Sequence, residues 1–85
     1  MTEDEKLQAE IDLADALLRA EASHLQELEE KRRLIADGIA DLQVPSELWE
    51  RYLHEVDQQI DLAGARLDQL QRLRDQTQAQ METKQ

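Results

Sequence analysis

The stretch DLQVPSELW, residues 41–49, lies near the middle of an 85-residue chain and holds its only proline and its only tryptophan. Pro45 disfavours helical geometry at the residue before it and cannot donate a backbone hydrogen bond, but it is well tolerated in the first turn of a helix. We therefore expect one helix to end before a connector at about residues 43–45. A second helix should begin near residue 46, with Ser46 and Glu47 in its first turn.

The composition of the whole chain agrees with two long helices. Phenylalanine and cysteine are absent, aromatic residues make up 2%, and the chain has two glycines and one proline. Such a composition is typical of long helices and coiled coils, so we predict an all-α fold. Disulfides are excluded without cysteine, and 85 residues fit one domain that buries only a modest part of its surface.

The first half of the chain carries an alternating three-four spacing of apolar residues. Thr2 and Glu5 fit a capping box, so we expect a helix over about residues 3–42. The spacing continues past Gly38, which favours a helix that does not stop there. The positions are Leu7, Ile11, Ala14, Leu18, Glu21, Leu25, Leu28, Arg32, Ile35, Ile39 and Leu42. This is the heptad seam of a coiled coil, interrupted by Glu21 and Arg32.

The second half repeats the same spacing. Its positions are Trp49, Leu53, Val56, Ile60, Ala63, Leu67, Leu70, Arg74, Thr77 and Met81. Arg74 and Thr77 weaken the pattern, so we expect the second helix to cover about residues 46–80 and to be followed by a frayed tail, residues 81–85. Both sets of positions are called the seam below.

Two long helices joined by a short connector must run antiparallel, which predicts a two-helix coiled-coil hairpin. The predicted register places Leu28 opposite Ala63. It also brings Glu21 close to Arg74, so we expect these two residues to form an ion pair. Arg32 should lie within reach of Asp57 or Asp61.

A second set of apolar residues flanks the seam and widens the apolar surface toward that of bundle helices. We therefore predict that two hairpins dimerise into a four-helix bundle, or that this surface binds a different protein. Trp49 and Tyr52 are residue types common at binding hot spots, although they also suit a cap over the core. The candidate interaction residues are Leu13, Leu17, Leu62, Leu73, Trp49 and Tyr52, accompanied by Ala20, Leu34 and Leu48.

Few residues suggest chemistry. Glu21 and His24 form a Glu-x-x-His pair that can present two ligands on one helix face, as in carboxylate metal bundles. A complete site needs further ligands, so we predict no metal and no cofactor, with a metal-binding bundle as an alternative. The sequence shows no catalytic triad pattern, phosphate loop or cysteine nucleophile, and we expect neither enzymatic activity nor a small-molecule substrate.

The net charge of −10 repels nucleic-acid phosphates and anionic lipids. No signal peptide or membrane span is visible, and we expect a soluble, cytoplasmic protein that binds neither nucleic acid nor membranes directly. The favoured function is a protein–protein interaction module: an adaptor, a chaperone-like subunit or an assembly component. The alternative is an acidic inhibitor that occupies a basic site, including a mimic of nucleic acid.

Overall fold

The computed structural model describes residues 2–42 and 46–83, which form two helices. Helix α1 covers Glu3–Asp41 and α2 covers Glu47–Thr83, and the described residues contain no strand. The prediction of an all-α chain with two long helices is confirmed. The predicted connector, residues 43–45 with Pro45, lies outside the described residues, as do the last two residues of the predicted frayed tail.

Helix α1 begins at the predicted cap. Thr2 has an extended backbone, and its hydroxyl accepts a hydrogen bond from the Glu5 backbone amide at 3.2 Å. The acidic side chains of the first turn lie at the positive end of the helix dipole, which stabilises the helix start. The helix then continues through Gly38 to Asp41, because a single interior glycine costs only about 1 kcal/mol and the seam residue Ile39 beyond it is still half-buried.

Helix α2 differs from the sequence prediction at both ends. Ser46 lies before the first turn and caps it: its hydroxyl accepts from the Trp49 amide at 3.5 Å, and its carbonyl accepts from the Glu50 amide at 3.1 Å. At the other end the helix runs past residue 80 to Thr83. Glutamine is a good helix former, and the Gln78 side chain also bonds to Glu82 one turn later, which supports this extra turn.

Two ion pairs between the helices define their direction. Arg32 Nε lies 2.5 Å from Asp57 Oδ1, and Arg74 Nε lies 2.5 Å from Asp15 Oδ1. Seventeen residues separate Asp15 from Arg32 in α1, and seventeen separate Asp57 from Arg74 in α2. The residue with the higher number in α1 therefore contacts the residue with the lower number in α2, so the helices are antiparallel.

The molecule is a helical hairpin about 64 Å long and 15 Å wide. A helix with the 39 residues of α1 is expected to measure about 58 Å, so the hairpin is hardly longer than one of its helices. We call the end with Asp41 and Glu47 the closed end, and the end with Glu3 and Thr83 the open end. Neither described helix is apolar over a long enough stretch to cross a membrane.

The core lies along the seam. The buried residues of the described chain all occupy seam positions: Leu7, Ile11, Ala14, Leu28, Val56 and Ala63. Val56 and Ala63 are each only 1% exposed. Most other seam residues are half-buried, while Arg32, Leu42 and Trp49 are exposed. The heptad spacing therefore identified the residues through which the two helices bury each other.

We predict that Gly64→Ala stabilises the hairpin by about 1 kcal/mol, because alanine is the better helix former by that amount. A methyl group at Gly64 would meet no atom within 4 Å, so nothing opposes the gain. Urea unfolding at one fixed protein concentration measures the change. The matched control, Ala65→Gly at the next position, should lose a similar amount. A loss of stability for Gly64→Ala would contradict the open space around this glycine.

Candidate protein interaction surface

The two sides of the seam differ in chemistry, and the ion pairs identify the polar side. Asp15 directly follows seam residue Ala14, and Asp57 directly follows seam residue Val56. One step along a helix turns the side chain by about 100°, so residues that follow and residues that precede a seam position lie on opposite sides of it. Because the helices are antiparallel, the residues that follow a seam position lie on the same side of the hairpin in both.

The exposed apolar residues occupy the other side. Apart from Leu42 and Trp49, which belong to the seam itself, every exposed large apolar residue directly precedes a seam position in the described chain. These residues are Leu13, Leu17, Leu34, Leu48, Tyr52, Leu62 and Leu73, with exposures from 38% to 72%. We call the surface that they form the apolar face, and the opposite surface, with Asp15 and Asp57, the polar face.

A groove near the open end shows that the two helices contribute to the apolar face together. It has a volume of about 330 Å³ and is lined by Leu17 of α1 and Leu73 of α2. The remaining lining residues are Glu21, Arg66, Gln69 and Leu70. Two of the predicted interaction residues are therefore adjacent, although 56 positions separate them in the sequence.

A second groove, near the closed end, is almost entirely apolar. It measures about 410 Å³ and is lined by Leu34, Ile35, Gly38, Ile39, Leu42 and Trp49. Gly38 contributes no side chain, and no atom lies within 4 Å of the place that a methyl group would take. Trp49 is 49% exposed, and its ring meets the Tyr52 ring edge-on, with centroids 6.0 Å apart. Trp49 thus covers the core only in part and leaves an apolar wall open.

The predicted ion pair between Glu21 and Arg74 is wrong. Arg74 instead contacts Asp15, which the sequence analysis did not single out. Glu21 is half-buried, and its Oε2 atom is shielded from solvent without a hydrogen-bond partner among the described residues. The other predicted pair, Arg32 with Asp57, is confirmed.

A repeated signal in the sequence points to Asp15. Asp57 follows Asp15 by 42 positions, and Arg74 follows Arg32 by the same interval. A local two-fold axis between the antiparallel helices relates each residue of α1 to the residue 42 positions later in α2. It therefore relates the Arg32–Asp57 pair to an equivalent pair between Arg74 and Asp15. This relation also fixes the register. A slip by one heptad would replace Asp15 opposite Arg74 with Gln8 or Ala22, neither of which carries a charge.

The candidate metal ligands Glu21 and His24 lie on α1, one half-buried and the other exposed. No group of three or more histidine, aspartate or glutamate side chains suited to a metal ion occurs within residues 2–42 and 46–83. The His54 ring lies 3.3 Å from the Gln58 amide nitrogen on its own helix. The metal-binding alternative therefore gains no support from the geometry of the described residues.

We predict that Asp15→Asn lowers the free energy of unfolding by about 0.5 kcal/mol, the usual range for a partly exposed ion pair. The loss should shrink in high salt, which screens the charges of the intact pair. Urea unfolding at low and high sodium chloride measures both effects. Asp68→Asn removes the same charge from an exposed position that forms no ion pair within the described residues, and it should not destabilise. Equal losses in the two variants would contradict a role for the Asp15–Arg74 pair.

The described chain thus presents one broad apolar face, a groove near each end of it, and an acidic surface on the opposite side. The candidate residues Leu13, Leu17, Leu62 and Leu73 share that face, with Tyr52 beside Trp49 at the closed end. Comparisons of this chain with protein-family models, with curated proteins and with solved structures found no match.

Proposed function

We propose that this chain is a non-enzymatic protein–protein interaction module, an adaptor, chaperone-like subunit or assembly component, that acts through its coiled-coil surfaces. The observation that supports this function is the division of the hairpin into an apolar and a polar face. Exposed leucines scattered singly would need no explanation, but leucines aligned on one face form apolar patches toward each end of that face. Such patches are characteristic of surfaces that bind another protein.

The size of the patch favours burial against a helical partner. A fully buried leucine gains roughly 1.5 to 3 kcal/mol, and these side chains are already about half covered, so each would gain on the order of 1 kcal/mol. The Cα atoms of the hairpin extend over 64 by 15 Å, so one face has a projected area of roughly 900 Å². A face of this size is large enough for a standard stable interface, which buries ~800 Å² of accessible surface per partner.

The simplest partner is a second copy of the chain. Two hairpins packed face to face through a two-fold axis make a four-helix bundle, in which each copy buries the same residues. The polar faces would then point outward. Because Asp15, Asp57 and the other acids of those faces remain in water, the charge of −10 per chain opposes the contact only weakly at physiological salt.

One further observation supports a second candidate function, binding of the polar face to a basic surface. Asp61, Asp68, Asp75 and Glu82 recur every seven residues on α2, and all four are exposed. They form a row of carboxylates about 10 Å apart along one line of the helix. An acidic inhibitor of a basic site would use this row, and its binding would weaken steeply as salt is added.

We predict that the chain sediments as a dimer at micromolar concentration and that the double variant Leu17→Gln, Leu62→Gln weakens dimerisation by roughly tenfold or more. Glutamine keeps the helix propensity but cannot replace the apolar burial. Sedimentation equilibrium over a range of protein concentrations measures both association constants.

The matched control places glutamine beside each leucine, on the outer surface of the helices: Ala16→Gln, Ala65→Gln. These alanines are exposed, so dimerisation should not change. Added salt should leave the association intact or strengthen it, because the contact is apolar and the chains repel each other. A strictly monomeric chain, or equal losses in the two double variants, would contradict self-association through the apolar face.

A further inference from the structure

Polar residues interrupt the apolar face and need partners when that face is covered. On α1, His24, Glu27 and Lys31 lie between the leucines near the open end and those near the closed end. None of the three forms an ion pair in the described part of the chain. Beside them, Glu21 lines the open-end groove with one shielded oxygen that lacks a hydrogen-bond partner. Burying these polar side chains without hydrogen-bond or ion-pair partners would cost more free energy than burial of the leucines contributes.

We propose that two hairpins pack through their apolar faces with their closed ends at opposite ends of the bundle. Helix α1 of each copy then runs antiparallel to α1 of the other copy, and the two-fold axis crosses α1 between residues 25 and 26. This inference rests on the self-association proposed above and adds the orientation and the contacts of the two copies.

The proposed orientation joins the apolar parts of α1. The residues that precede seam positions repeat with the same three-four spacing as the seam, so two such rows interlock in antiparallel register. In the register with the axis between residues 25 and 26, Leu17 lies against Leu34 of the second copy. Leu13 lies above Gly38 of the second copy, where the open apolar groove of about 410 Å³ has room for a leucine side chain.

The same register supplies the polar residues in the middle of α1 with partners. His24 faces Glu27 of the second copy, and each such contact occurs twice by symmetry. Lys31 of the second copy lies over Ala20, whose small side chain leaves its ammonium group free to approach the neighbouring Glu21 carboxylate. The carboxylate without a partner in the single hairpin thereby gains a cation in the dimer.

Helix α2 agrees with the position of the axis. The Asp15–Arg74 pair places the α1 positions 25 and 26 level with residues 63 and 64 of α2. Leu62 therefore lies close to the two-fold axis, about three residues or ~4.5 Å along the bundle from Leu62 of the second copy. A leucine that is 56% exposed in the single hairpin is thus covered near the centre of the interface.

The opposite orientation, with both closed ends together, gives poorer contacts. Each residue of α1 would then face the residue of α2 in the second copy that lies at the same distance along the hairpin axis. The register of the ion pairs places His24 level with about residue 65 and Leu34 level with about residue 55. His24 would face Arg66 of the second copy rather than Glu27, and Leu34 would face Glu55 rather than Leu17.

A distance between two identical labels distinguishes the orientations. The chain has no cysteine, so Gln8→Cys on the polar side of α1 carries one spin label per copy. Opposed closed ends predict a separation of about 50 Å along the bundle, from 35 residues at ~1.5 Å each. Closed ends together predict roughly 20 to 25 Å, the width of the bundle with its labels. The short distance in a dimer would overturn the orientation while leaving self-association standing.

A charge reversal tests the contact between Lys31 and Glu21. We expect Lys31→Glu to weaken dimerisation at least fivefold, because it places a third carboxylate near Glu21 and Glu27, whereas Lys31→Arg should dimerise normally. Arg33→Glu reverses the same charge on the polar side and should change dimerisation less than twofold. Equal losses in Lys31→Glu and Arg33→Glu would contradict the contact. A monomeric parent chain would overturn both the orientation and the proposed self-association.

Discussion

The mutual burial of the two seams is the interaction on which the rest of the structure depends. Val56 and Ala63 are almost fully enclosed by α1, and the buried residues of α1 are likewise enclosed by α2. Within residues 2–42 and 46–83 neither helix has a third element to pack against, so each supplies most of the other's apolar environment. A helix of this length gains most of its stability from such packing rather than from intrinsic propensity. Once the seams meet, the side chains on either side of them are fixed on opposite faces of the hairpin.

The difference between those two faces connects the fold with the proposed function. The two arginines within the seam reach toward the polar face, where Asp15 and Asp57 pair with them and hold the register. The leucines that precede seam positions are left on the other face with no element of the described chain to cover them. The proposed partner would cover this face and complete a core that two helices alone leave open. The groove at Gly38 gives that surface a cavity, and the groove at Glu21 gives it a negative charge. Both features favour partners and orientations with a complementary shape and charge.

Sequence reasoning predicted the helices, the seam and the Arg32–Asp57 pair because each depends on a periodicity or on a spacing along the chain. It failed where the exact register decides the outcome. The ion pairs place Glu21 level with about residue 68 of α2, roughly 9 Å from the level of Arg74, and Arg74 contacts Asp15 instead. The sequence places the end of α2 at about residue 80, where glutamine and threonine replace leucine, and the helix continues to Thr83 with Gln78 bonded to Glu82. The candidate leucines were identified by the pattern, and only the antiparallel geometry shows that they share one face.

The most direct test of the account is the distance between the two ends of one chain. Spin labels at Ala9→Cys and Ala79→Cys lie on the outer surfaces of α1 and α2 near the open end, and dilution with unlabelled chain restricts the signal to a single molecule. The hairpin predicts a distance of roughly 30 Å, from two helices about 10 Å apart and the lengths of the labels. A distance of about 105 Å, the length of an unbroken helix over 70 residues, would contradict the burial of one seam against the other within the chain.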